Sequence, residues 1–440
     1  MAGGANAGGT VLSLRECVSR AIEQSPELSS GRHLVEAEEA HTKRTRATTL
    51  PYFSSELQGY EVNGSPVGPW VPLGFSQQGS GRSSRQGNAH WAPVGLESLG
   101  FSYPLIYEGG ILGLNDPPAV AMARANMDQQ TIANVITAQK VIFNVVTDYI
   151  YVTDYRAEVA TAQKMTELAA QQLEIVRAQV KLGLKLPEQV HIAEAQLAAA
   201  SQARKAATAG ENAFSENLAS LIGQRGAALE LESTELPLSE LEPLNRFLDQ
   251  VMAGHPALRA QQTKVEVARQ QLRVDEANFW PTATLNTNFG GAQDLEYLNG
   301  GRQHPRPTAF LSYLSVNIPL YDFGVRREAI NESKENVLSQ KDDIKALDLQ
   351  IRAEITQAYN DIGQYGEIAA QFHSNFVRET QAALLARAHY EVGAEEVLTV
   401  ITAELAALQD KISIQLTQMA QRLKYAELQN LSGGTWHWAP

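Results

Sequence analysis

The chain of 440 residues is short of several things, and each shortage closes off a class of function. It has one cysteine, which excludes a disulfide framework and any zinc site built on several cysteines. Cys17 lies in the apolar-periodic segment 12–22, where it reads as a small buried helix residue. Aromatic residues are only 7% of the chain, while Ala, Gln and Glu abound, a composition that points to long helices. The formal net charge of −13 argues against a nucleic acid partner, whose phosphate backbone is met by basic surfaces. No run approaches the roughly 18 apolar residues of a membrane helix. Residues 1–10 lack the basic and apolar regions of a secretory signal, so the chain is either cytoplasmic or a mature form with an added start.

Catalytic signatures are missing as well. There is no His-Glu-x-x-His, no phosphate-binding glycine loop and no nucleophile elbow. The nine histidines are scattered, with His33 and His41 two turns apart, and the six methionines are dispersed. No enzyme activity, metal or cofactor is expected from such a chain.

What is present is a duplication. Ser25-Pro26-Glu27-Leu28 opens a polar helical pattern ending at Leu50-Pro51, and His255-Pro256-Ala257-Leu258 opens one ending at Trp280-Pro281. In each case the second proline follows the first by 25 residues (51 − 26 and 281 − 256). An alternating segment then closes on Pro104-Leu-Ile-Tyr-Glu-Gly109 in the first half and on Pro319-Leu-Tyr-Asp-Phe-Gly324 in the second. Long helical stretches follow, interrupted at Gly183 and Gly393. A repeat of this size is a duplicated half-structure rather than a solenoid unit.

Four segments alternate with period two. Near 308–320, Phe310, Leu314, Val316, Ile318 and Leu320 take one face, and Leu311, Tyr313, Ser315 and Asn317 the other. Near 282–290, Ala283, Leu285 and Phe289 alternate with Thr282, Thr284, Asn286 and Asn288. Near 97–105, Leu99, Phe101, Tyr103 and Leu105 alternate with Ser98, Gly100 and Ser102, and Tyr52–Val62 is a weaker copy. At about 9–11 residues each has the length of a tilted strand crossing a bilayer. A soluble four-stranded sheet with one polar face is the competing reading. Four strands cannot close a barrel, and open edges are not tolerated in lipid, so a membrane sheet requires several chains to share one barrel. The connections 63–95 and 290–307 are polar and turn-rich, either external loops over a mouth or plain insertions.

From about 119 to 182, and again from 324 to 392, there is no proline, so each stretch can form a helix of roughly 100 Å. Three heptad stripes run together: Val135, Ile142 and Tyr149; Ile136, Phe143 and Ile150; Ala138, Val145 and Val152. A two-helix coiled coil needs one seam. Several seams suit a helix with neighbours on both sides. Shorter helices at about 188–222 and 395–430 are dense in small residues such as Ala198, Ala199, Ala200, Ala403, Ala406 and Ala407. Asp148, Asp154, Glu158, Glu354 and Asp361 are either lumen-lining carboxylates or an ordinary solvated face. Basic residues Lys43, Arg44 and Arg46 precede the first strand and Arg326 and Arg327 follow the last, positions suited to lipid headgroups or to a solvated helix end.

The duplicated half, the Pro-Leu-x-x-x-Gly strand exits at Pro104, Gly109, Pro319 and Gly324, and the glycine between long helices resemble the outer-membrane efflux (TolC-like) family, from Leu12 to about Leu431. The resemblance implies a mainly α fold with a membrane β-barrel portion. Four strands per chain would build a twelve-stranded barrel shared by a homotrimer, continued by an α-barrel tunnel. It implies this order: a flexible segment 1–11, a first repeat 12–223, a connecting equatorial segment 224–254, a second repeat 255–431 and a tail 432–440. It also implies a passive exit duct of a tripartite efflux or type I secretion system, set in the outer membrane of a Gram-negative bacterium. The partners would be outer-membrane lipid, a periplasmic adaptor protein and an inner-membrane pump. Adaptor docking would fall on Gly183, Leu184, Gly393 and Val397. Tyr390 matches a gate tyrosine. Thr399 and Thr402 stand where some relatives carry acidic residues, so an acidic constriction would fall instead on Glu395, Glu396 or Glu188. The alternative is a coiled-coil scaffold of the periplasm or cell surface whose sheet never enters lipid.

Overall fold

A computed structural model describes residues 11–63, 91–111, 115–224, 229–232, 242–294 and 309–434. The first half runs α1 (Leu14–Gln24), α2 (Pro26–Ala47), β1 (Tyr52–Asn63), β2 (Trp91–Tyr107), β3 (Gly110–Ile111), α3 (Pro118–Lys181) and α4 (Glu188–Leu221). The second runs α5 (Leu244–Met252), α6 (Pro256–Ala277), β4 (Thr282–Asp294), β5 (Ala309–Asn317), α7 (Val325–Glu391) and α8 (Val397–Leu431). The duplication is visible in helix lengths: 22 residues in both α2 and α6, 64 against 67 in α3 and α7, and 34 against 35 in α4 and α8. Helix α5 precedes α6 as α1 precedes α2, so the second copy has a counterpart to α1 inside the segment that reads as a connection in the sequence.

Proline begins both α2 and α6, where its missing N–H is one of the donors a helix start leaves unused. The residue before each proline supplies a cap. Ser25 Oγ accepts from Leu28 N at 3.4 Å, and His255 Nδ1 accepts from Ala257 N at 3.2 Å. The α1 start carries a full capping box between Ser13 and Glu16.

The chain divides into two compact units, each drawing on both halves. One comprises residues 1–35, 130–262 and 342–440. Its larger core joins Cys17, Val18, Val145, Tyr149, Leu218 and Ala426 from α1, α3, α4 and α8. Its second core joins Val251, Leu258, Ile355, Ala358, Tyr425 and Leu428 from α5, α6, α7 and α8. The heptad stripes of α3 are fully buried at Val145, Tyr149, Ile150 and Val152, while Val135 is exposed. On α4 the buried small residues fall one heptad apart at Ala193, Ala200 and Ala207; Ala198 and Ala199 face outward. Two tyrosines at matching positions tie the long helices to the connecting segment. Tyr149 Oη donates to Glu232 O at 2.6 Å, and Tyr359 Oη donates to Glu242 O at 3.0 Å. Each lies 34 residues before its turn glycine (183 − 149 and 393 − 359).

The other unit, residues 36–129 and 263–341, holds an antiparallel sheet ordered β1-β2-β4-β5, with β3 paired to the end of β2. Strands of 12, 17, 13 and 9 residues replace the uniform lengths read from the alternation. The strand read as 308–320 stops at Asn317, leaving Ile318, Pro319 and Leu320 outside it. The connections at 64–90 and 295–308 lie outside the described residues, whereas Trp91 to Gly95 belong to β2 rather than to a loop.

Candidate functional site

Strand register sorts the side chains. Phe53 pairs with Phe101, Leu99 with Phe289, Phe289 with Phe310, and Leu285 with both Tyr103 and Leu314, so these residues share one face. Ser102 pairs with Asn286 and Gly100 with Asn288 on the other, where Ser102 Oγ donates to Asn286 Oδ1 at 2.8 Å. The polar face is the tighter one: a Cβ at Gly100 would lie 2.6 Å from Ser54 Oγ. The apolar face is open, with Phe53 82% and Phe310 70% exposed, and Leu99, Leu314 and Val316 exposed as well. Each such side chain left in water forgoes roughly 1.5–3 kcal/mol of burial, so a face of this size needs an apolar neighbour.

At the end of the sheet where β1 and β4 begin and β2 and β5 end, further apolar side chains are exposed: Tyr52, Tyr107, Trp280, Tyr321 and Phe323 among them. Aromatic residues at strand ends are the mark of a membrane–water interface. Both strand exits then turn through paired left-handed residues, Glu108 and Gly109 (φ 47° and 77°) and Phe323 and Gly324 (φ 56° and 94°). The two prolines of these motifs differ. Pro104 lies within β2 at a register shift against β4, while Pro319 lies beyond β5. After the second exit, Asp322 accepts from the N–H groups of Gly324 (3.2 Å) and Arg326 (3.1 Å) and pairs with the Arg326 side chain at 2.5 Å. The Arg326 hydrogen bond holds the Asp322 carboxyl below its ordinary range.

The helix–helix turns are built alike. Gly183 (φ 71°) donates to Val180 O at 3.0 Å and Leu184 to Gln179 O at 2.9 Å. Gly393 (φ 76°) donates to Tyr390 O at 2.9 Å and Ala394 to His389 O at 2.8 Å. This is the double-bonded glycine stop of a helix, and it requires a left-handed residue. Gly183, Leu184, Gly393, Glu188, Glu395 and Glu396 are all exposed, Tyr390 is 46% exposed, and Val397 is half-buried at the start of α8. Glu396 accepts from Gln179 Nε2 at 3.4 Å, which brings the α7–α8 turn beside the end of α3. Below the turns Leu173, Val176 and Ala193 are buried, with Leu398 packed against them.

The sequence reading passed over Leu182, Leu186 and Val392, all strongly exposed beside the glycines; their signal was a run of apolar residues at a solvent turn. Of the five carboxylates on the long helices, Asp154 is buried against Arg422 Nη1 at 2.6 Å, and burial pushes its carboxyl up to about 6 despite that partner. Asp361 lies 3.4 Å from Lys424, and Glu354 accepts from Gln350 at 2.8 Å. Each of these three has a partner within the chain.

Comparison with known proteins matches residues 247–434 to the outer membrane efflux protein family. The second half of the chain thus carries the similarity to that family, and the fold extends it over the whole chain. Protein CyaE of Bordetella pertussis is 24% identical over 356 residues, which is 80% of this chain and 69% of that protein. VceC, an outer membrane protein of Vibrio cholerae, has the same fold with a TM-score of 0.74 at 17% identity, over 96% of both chains. The CmeC outer membrane channel of Campylobacter jejuni gives a TM-score of 0.75 at 15% identity, over 96% of this chain and 85% of that one. An outer membrane efflux protein resides in the outer membrane, and the apolar face of the sheet with its aromatic rim is the surface here that suits lipid.

Proposed function

We propose that this chain is the exit duct of a tripartite efflux or type I secretion assembly, conducting cargo passively through a barrel shared by three copies. The observation that carries the reading is a sheet with one exposed apolar face, one polar face and, among the described residues, open outer strands β1 and β5. A single copy in lipid would leave the hydrogen-bonding groups of both edges unsatisfied, each at a cost of several kcal/mol. Three copies, edge to edge, would close twelve strands with the polar faces toward the lumen. The coiled-coil scaffold reading leaves the apolar face without a neighbour.

The two helix–helix turns are the docking surface for a periplasmic adaptor, which couples the duct to an inner-membrane pump. Gly183 and Gly393 set the turn geometry, and Leu184 and Val397 meet the partner. Tyr390, with Glu395, Glu396 and Glu188, forms the entrance. Opening is a change in helix coiling that parts the turns, and its energy comes from the pump. The test is current through a planar bilayer exposed to the detergent-purified protein. Discrete conductance steps are expected; a protein that never raises conductance, with or without its adaptor, overturns the reading.

A further inference from the structure

Between α3 and α4 lies a pocket of about 330 Å³, lined by Asn144, Thr147, Asp148, Asn217 and Ser220, with Phe143 on its apolar wall. Among the described residues Asp148 is the only charged one lining it, from either helix. Among the described residues no hydrogen bond or ion pair reaches its carboxylate, and Thr147 Oγ1 is buried without a hydrogen-bond partner. Burial alone pushes the Asp148 carboxyl up to about 6. Six residues further along the same helix, Asp154 is buried more deeply but has the Arg422 guanidinium beside it. The fold therefore supplies a cation to one carboxylate and withholds it from the other. A desolvated, unpaired carboxylate costs stability, and such a cost retained in a pocket points to a ligand.

We infer that this pocket binds an ammonium group. The Asp148 carboxylate is its counter-ion, the Thr147 hydroxyl and the Asn144 and Asn217 amide oxygens are further acceptors, and the Phe143 ring covers an alkyl stem. The volume sits at the lower end of small-molecule sites and is roughly ten times the share of one water in the liquid. The ammonium has two possible sources, a free alkylammonium ion or a lysine of a second copy of the chain. Neither depends on what the helix–helix turns dock.

The experiment uses purified full-length protein in detergent, titrated with n-butylammonium and, as a neutral control, n-butanol, followed by calorimetry. Wild type is expected to bind the ammonium and not the alcohol at pH 8. Binding weakens more than tenfold at pH 5, because protonation of Asp148 removes the counter-ion. Asp148→Asn, nearly the same shape, abolishes binding and melts at a higher temperature than wild type. If butylammonium does not bind and Asp148→Asn makes the oligomer dissociate at lower detergent or temperature, the cation comes from the second copy. Absence of binding together with an unchanged oligomer overturns the inference.

Discussion

At the α3–α4 turn the chain presents Lys181, Lys185 and the exposed leucines Leu182, Leu184 and Leu186; at the α7–α8 turn it presents Glu391, Glu395, Glu396 and the exposed Val392. Backbone and hydrogen bonds are the same at both, down to the left-handed glycine and the residue that donates back five positions. The duplication has kept what geometry requires and released what solvent permits. A left-handed residue at the stop of a long helix has few substitutes, because a Cβ there costs about 1 kcal/mol or more. An exposed side chain carries no packing cost, so its charge can diverge freely. On the docking role proposed for the turns, opposite charge on matched positions would have each meet a different surface of the partner.

The comparison can be broken first at its shared part. Proline at Gly183 or Gly393 cannot adopt φ above 70° and removes a donor, a loss of about 3 kcal/mol or more at the turn. Either substitution is expected to abolish export while the oligomer still forms, read by cargo release from cells and by native mass. The charges come next. Reversing Lys181 and Lys185 to Glu, or Glu395 and Glu396 to Lys, should each lower export at least tenfold at a stability cost of only about 1 kcal/mol from the adjoining helix ends. A chain carrying both reversals should stay impaired; full recovery would show the two turns to be interchangeable.

Smaller effects sharpen the contrast. Leu184→Ala should lower export several-fold while stability stays within about 0.5 kcal/mol of wild type, because the side chain is exposed. Tyr390→Phe should raise the resting conductance modestly in planar bilayers, and an unchanged trace would remove the tyrosine from the entrance. The smallest effect concerns the helix starts, where the first copy uses Ser25 and the second His255. The His255 ring is held between Leu431 O at 2.7 Å and the Ala257 N–H, and burial lowers its pKa from 6.5. The folded chain thus resists the proton that the unfolded chain accepts, so the cap is fully effective above pH 6.5 and is lost as pH falls below it. The stability difference between wild type and His255→Asn should change by roughly 1 kcal/mol of capping energy between pH 7 and 5, because groups common to both proteins cancel.

Much of this architecture was legible because it rests on period and punctuation. Paired prolines at Pro26 and Pro256 and glycines at Gly183 and Gly393 mark positions where backbone conformation leaves little choice, and the alternation at Leu99–Tyr103 and Ala283–Phe289 follows the strand pleat. What escaped depends on pairing rather than pattern. Ile318 and Leu320 continue the alternation of β5, yet the partner strand offers its first residue, Thr282, to Asn317, so the ladder has nothing left to pair with them. The long-helix carboxylates looked equivalent along the chain, but which of them meets a cation is set by α8, 268 residues away in the case of Asp154 and Arg422. At the turns, the spacing located the glycines, while the divergence of charge became meaningful only once both backbones proved alike.

The measurement that bears most directly on the shared duct is the native mass of the detergent-solubilised particle. The account predicts a detergent-dependent species of three 48.0 kDa chains. A monomer that stays in solution without detergent would contradict it.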